Sequence, residues 1–238
     1  MHIRILTSCT KKKAVSCTNP ISTKDFERGE EHLNERESEL RDYQLPAGEM
    51  YTGLQHRYLM DGVRAVRKKK VGLDIDVAII SAGYGVVSEE DLIAPYERAF
   101  NGKPKTEIRE LSDRLDIPKK SRRFLAQSAD LILILLGGKY LHAVDFDETV
   151  VFGGDTLLFC SQSAVKLLPD WEEVKKVPVT QKTARRFSEA LVRLKGILAK
   201  RLLLKIAQDP TAAGSLMRPQ TDVVNALDNE GLQTQLEL

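Results

Sequence analysis

Apolar residues in this chain fall either into short unbroken runs or into longer stretches with helical spacing. Residues 3–6, 76–80 and 131–136 are short, mainly apolar runs, with Arg4 and Asp76 as the polar exceptions. Each is expected to be a buried strand, and the third, which is apolar throughout, to be buried on both faces. Residues 149–152 and 157–160 read as two further short strands joined by Gly153-Gly154-Asp155-Thr156. Leu54, Tyr58, Val63 and Val66 recur at helical spacing after Thr52, and the basic run Arg67 to Lys70 suits the end of that helix. Residues 106–115, 118–127 and 161–168 read as helices, and Ser88 to Asp91 as the capped start of a short one. Residues 180–207 read as one long helix with Phe187, Leu191, Leu194, Leu198 and Leu202 along a stripe. Strands that alternate with helices predict an α/β fold: a mostly parallel central sheet flanked by helices, with a long C-terminal helix and a polar tail.

Residues 22–44 interrupt this pattern with charge and few apolar positions, predicting an exposed helix or mobile excursion. From residue 208 the chain turns polar, so residues 1–207 are expected to form a single domain. Residues 208–238 would be a flexible tail, with a short helix near 223–227. A hydrophobic content of 42% over 238 residues suffices for a full core. Net charge is only +2 and selects no partner class, but the basic residues are clustered. Lys11-Lys12-Lys13, Lys119-Lys120 with Arg122-Arg123, and Arg185-Arg186 are candidates to neutralise a nucleic-acid backbone; solvated faces are the alternative. Three cysteines without a CxxC pair, and four scattered histidines, argue against a structural zinc site and fit a reducing compartment. No apolar run reaches membrane-spanning length, and the chain enters a strand at once, so a cytoplasmic protein without membrane contact is expected. No metal or cofactor is expected.

The chemistry gathers where the apolar runs end. The first strand leads into Ser8, Cys9 and Lys11, a hydroxyl, a thiol and a cation suited to an anion. The second ends in Ser81-Ala82-Gly83-Tyr84-Gly85, and the third in Gly137-Gly138. Small residues at strand ends admit a ligand or another backbone, and open α/β sheets bind ligands off their carboxyl ends. Tyr51, Thr52 and Gly53 lie at a helix start, where free N–H groups can receive an anion. The plainer reading makes these residues turns and caps, with Tyr84 and Tyr96 as half-buried packing residues and Asp91 as a capping carboxylate.

Gly48-Glu49-Met50-Tyr51-Thr52-Gly53-Leu54-Gln55, then Ser81-x-x-Tyr84-Gly85-Val86 and Asp91-Leu92-Ile93-x-Pro95-Tyr96, resemble the YaaA-like peroxide-stress proteins in order and spacing. Ser8-x-x-Lys11 and Gly137-Gly138-Lys139-Tyr140 also look like segments of that family. With Cys9, the chain is similar to a broader group that has a Cys-x-x-Lys start and a Ser-Ala-x-Tyr-Gly segment. The resemblance covers residues 1–145 outside the charged insertion. It implies an α/β DNA-binding protein linked to DNA protection, stress response or defence. Three readings follow. In the first, nucleic acid or a nucleotide binds through Ser8, Lys11, Tyr51, Thr52 and Ser81, with Tyr84 and Tyr96 stacking on a base. In the second, an enzyme acts on a nucleobase or nucleotide as an N-glycosidic hydrolase or transferase, with Asp91 as the catalytic carboxylate. In the third, the chain is a partner-binding scaffold.

Overall fold

The computed structural model describes residues 1–228. The strands are β1 (His2–Ser8), β2 (Ile21–Ser22), β3 (Leu45–Pro46), β4 (Asp74–Ser81), β5 (Gly85–Ser88), β6 (Leu92–Ile93), β7 (Tyr96–Glu97), β8 (Leu131–Ile134), β9 (Thr156–Cys160) and β10 (Val174–Pro178). Six form the central sheet in the order β10-β9-β8-β1-β4-β5. All its ladders are parallel except β4–β5. Two short ladders, β2–β7 and β3–β6, tie the excursions after β1 and β5 together. The expected α/β class, with a mostly parallel sheet between helices, is what the chain forms.

Buried strands explain the uniform apolar runs. Every residue of β8 and β9 is buried, because helices cover both faces. Helices Leu54–Lys69 and Leu191–Gln208 lie against each other and run in the same direction. A Cβ on Gly196 would stand 2.1 Å from the Gln55 carbonyl, and one on Gly62 would stand 2.8 Å from Lys200 Cα. Glycine is what lets these two backbones touch. The strand order reverses between β1 and β8: from β1 the chain crosses to β4 on one side, then returns to β8 on the other. That reversal opens a crevice at the carboxyl ends of the strands.

Several expected elements differ. Residues 149–152 form a loop, with Val150 and Phe152 buried. The rings of Phe152, Phe146 and Trp171 pack edge to face. The sixth strand is β10 instead, whose Lys175 and Lys176 broke the apolar signal. Gly85, at φ 78°, turns the chain back so that β5 pairs antiparallel with β4. Ser88 ends β5, and Glu89 to Asp91 form a turn after it and not a helix. The 180–207 stretch breaks at Ser188, φ 54°, into helices Gln181–Arg186 and Leu191–Gln208. The expected tail packs as far as residue 228. Helices Ala212–Met217 and Val223–Asp228 bury Leu216, Val223 and Leu227, while 229–238 lie outside the described residues.

Candidate functional site

The excursion after β1, residues 9–20, runs antiparallel to the Tyr51 segment. Ala14 N donates to Met50 O, and Thr52 N donates to Lys12 O. Cys9 N still donates to Ile80 O, extending the β1–β4 register one residue past the strand. These bonds hold Cys9, Lys13, Tyr51 and the end of β4 together at one rim of the sheet.

Ser81 ends β4 fully buried, and its Oγ accepts from the N–H groups of Gly83 (3.2 Å) and Tyr84 (3.0 Å). Those two bonds occupy its lone pairs, so its proton goes to Tyr96 Oη, 2.9 Å away. Tyr96 Oη also shares a hydrogen bond with Tyr51 Oη at 3.0 Å. The result is a row of hydroxyls from the end of β4 toward the Tyr51 segment. Burial is the main reason the Tyr51 and Tyr96 hydroxyls sit far above the usual phenol range, and the nearby Cys9 adds to it. They therefore stay protonated as neutral donors. On the β8 side, Cys9 Sγ lies 3.0 Å from Tyr140 Oη, which also donates to Cys9 O at 3.1 Å. With the phenol proton on the carbonyl, the thiol donates to the phenol oxygen. This contact bridges β1 and the helix Gly138–Val144, at the reversal of strand order.

The charged excursion covers the cluster. Ser22 and Asp25 form a capping box at the start of helix Thr23–Glu27, and helix Glu30–Glu39 follows. Phe26 meets both Tyr84 and Tyr96 edge to face. A Cβ on Gly83 would lie 2.7 Å from Phe26 Cζ, so this small residue admits the ring. Burial, then the facing Glu37 carboxylate, raises the Tyr84 hydroxyl well above its ordinary value. Tyr96, buried beneath Phe26 and Lys13, has no open face for a base, and Tyr84 is half-buried against the same ring. Stacking by these two tyrosines, as expected from the sequence, would require Phe26 to leave.

Beside this cluster is a cavity of about 590 Å³, lined by Lys11, Lys13, Cys17, Tyr96, Glu97 and Arg98 among others. Lys13 Nζ sits 4.0 Å from the centre of the Tyr96 ring, a cation–π contact. Burial lowers its pKa, and Cys9 and Glu97 oppose that shift. The Arg98 side chain is 5% exposed, lies over the Phe26 ring, and reaches Glu27 only at 4.0 Å. Its Nε is buried with no hydrogen-bond partner among the described residues. Lys103, also on the wall, pairs with Glu107. An enclosed guanidinium with an unused donor, two lysines and one carboxylate suit an anionic ligand that also brings a donor group.

The remaining candidates are dispersed. Ser8 and Cys9 are nearly buried beneath the excursion. Ser81 and Tyr51 spend their hydroxyls inside the protein. Thr52 and Gly53 face Thr10 and a separate cavity, and Gly53 N donates to Thr10 Oγ1. Gly137 and Gly138 open the helix below Tyr140. Asp91 is exposed; its carboxylate accepts from Ser88 N at 2.8 Å, and it is not on the cavity wall. Of the backbone candidates, Lys13 is at the cavity and Lys12 on the exposed loop beside it. Lys120 and Arg123 line a different cleft along β5. Lys119 is on their helix, where Arg122 bonds Asp147. Arg186 pairs with Asp228, and Arg185 is on the same short helix. The clusters therefore do not merge into one surface. Sequence reasoning missed Arg98, Glu97 and Phe26; a lone arginine after Pro95-Tyr96 carries no signal until β2 and β7 pair and bring residue 26 over it. Compared with known proteins, the chain matches no family model, no curated protein and no solved structure.

Proposed function

We propose that this chain binds nucleic acid through a phosphate seated in the cavity beside Tyr96. The observation that carries the reading is Arg98, enclosed in the cavity wall with a free Nε, next to Lys13 and Lys11. A buried donor without an acceptor costs about 1–3 kcal/mol, and a phosphate oxygen removes that cost. Lys12, exposed on the same loop, would reach the neighbouring backbone. The choice of DNA as the polymer, and of DNA protection, stress response or defence as the setting, rests on the resemblance to YaaA-like proteins. The cavity itself favours only an anionic ligand, of which a phosphate is one.

A second reading, base or nucleotide chemistry at an N-glycosidic bond, draws on Glu97, a carboxylate on the cavity wall where Asp91 is not. It makes Glu97, in place of Asp91, the group to test. Fluorescence anisotropy with a labelled single-stranded DNA decides the first reading. Binding that weakens steeply with salt, and at least ~10-fold in Arg98→Met, is expected, since charged hydrogen bonds contribute about 1.5–3 kcal/mol. Equal binding by Arg98→Met and the parent would refute it. Release of free base that Glu97→Gln abolishes would favour the second.

A further inference from the structure

On the other side of the Tyr51 segment is a smaller cavity, of about 210 Å³, lined by Gly48, Glu49, Tyr51, Thr52, His56, Arg57, Met60 and Arg64. It is independent of the cavity beside Tyr96. Two of its polar side-chain atoms, Thr52 Oγ1 and His56 Nδ1, are buried with no partner among the described residues. His56 is 1% exposed. Its Nε2 lies 2.9 Å from the Gly48 carbonyl, which can only accept, so Nε2 carries the ring proton. Burial lowers the His56 pKa and keeps the ring neutral. Nδ1 is therefore a bare lone pair that calls for a donor. Thr52 Oγ1, on the wall of the same cavity, can give a proton. Arg57 and Arg64 add two positive charges to the wall against one from Glu49, although Arg64 also bonds Asp61 at 2.7 Å.

From this donor and acceptor pattern we infer that the cavity is a site for a protonated phosphate group, inorganic phosphate or the end of a phosphomonoester. The phosphate O–H donates to His56 Nδ1. Its other oxygens accept from Thr52 and the arginines. The volume is several times the ~30 Å³ share of one water, so the cavity has room for more than a single solvent molecule. The neutral imidazole also sets a rule of choice. Near neutral pH inorganic phosphate keeps a proton to donate, a phosphomonoester end keeps one only below its second pKa of about 6, and sulfate has none and leaves Nδ1 unpaired. An unpaired buried acceptor costs about 1–3 kcal/mol, which corresponds to roughly 10-fold or more in affinity.

Nitrogen-detected NMR of the His56 ring in the intact chain tests this without any variant. Inorganic phosphate is expected to move the Nδ1 resonance saturably in the millimolar range or below, with sulfate at least ~10-fold weaker. Methyl phosphate, tested at about pH 5.5 where it still carries a proton, separates the two sources: if it competes, a phosphomonoester end also fits, and if it does not, the site takes free phosphate alone. Thr52→Val should weaken the phosphate effect while the Nε2 proton stays in place, which reports that the fold is intact. An unmoved Nδ1 resonance at saturating phosphate would mean that ordered water fills the cavity, and would overturn the inference. An equal response to sulfate would overturn it too, by reducing the site to a general cationic surface.

Discussion

Two cavities in this protein are rich in lysine and arginine, and they differ in what the protein has done with the cations. The one bounded by β10 and helix Gln181–Arg186 contains Lys175, Lys176, Lys182 and Arg186. There Lys175 Nζ donates to the carbonyls of Leu216 (2.9 Å), Arg218 (2.6 Å) and Thr221 (2.7 Å). Lys176 bonds the carbonyls of Val165 and Leu168 and the Asp170 carboxylate. Arg186 pairs with Asp228. These ammonium and guanidinium groups close helix ends and hold the last helices on the sheet. In the cavity beside Tyr96, Lys13 lies on an aromatic face and Arg98 keeps a buried donor unused. The same residue types are fasteners in one place, while in the other Arg98 keeps an unsatisfied donor and Lys13 reaches only the Lys11 carbonyl, at 3.5 Å. A basic cluster is a candidate ligand site only where the fold has not already supplied acceptors.

The largest expected effect tests the hydroxyl row that holds the second cavity in shape. Ser81→Ala removes the acceptor for two buried N–H groups and the partner of Tyr96 Oη. A loss of about 3 kcal/mol is expected in denaturant unfolding, and a loss below ~1 kcal/mol would show that the row is not structural. Next is Lys195, whose Nζ donates to Leu136 O in the interior and whose pKa burial lowers to about 8. The unfolded chain holds this proton up to about 10.5 while the folded one releases it from about 8, so stability should rise with pH across that window. The gain is on the order of 2–3 kcal/mol, and Lys195→Met should remove this pH dependence.

A matched pair of substitutions puts the two cavities side by side. Lys175→Met should cost about 2 kcal/mol of stability, by orphaning three carbonyls, and leave DNA affinity within ~2-fold. Arg98→Met should do the reverse, weakening DNA at least ~10-fold while stability changes by less than about 1 kcal/mol. Parallel effects of both variants on both readouts would dissolve the contrast. The smallest effect is expected at Lys12, exposed on the loop. Lys12→Gln should reduce the salt slope of log affinity for single-stranded DNA by about 0.7 with little loss of stability.

The strands were legible for a clear reason. Residues 77–80 and 131–136 needed apolar side chains on both faces, so their burial is written as uninterrupted hydrophobic runs; 3–6 is broken only at Arg4, which pairs with Asp76 of the neighbouring strand. β10 escaped notice because its lysines are buried by bonds to carbonyls 8 to 46 residues away in the chain, which no local pattern records. The break at Ser188 was hidden by a stripe that continues through it. Among site residues, Ser8, Cys9, Lys11, Tyr51, Ser81 and Tyr96 stood out as small or polar groups after apolar runs, and the fold brings them to one rim of the sheet. What each one does was not legible. Asp91 and Glu97 are both acidic residues near Pro95, and only one of them is on the cavity wall.

The amino-acid order alone therefore determined the class of fold, the parallel strands and the rim where their polar ends meet, because burial and chain direction are encoded locally. Only the tertiary structure decided which cations remain unsatisfied, which hydroxyls face each other, and which histidine nitrogen is bare. Those properties depend on acceptors and rings contributed from distant parts of the chain, and a hydrogen bond between residues 51 and 96 leaves no periodicity to read.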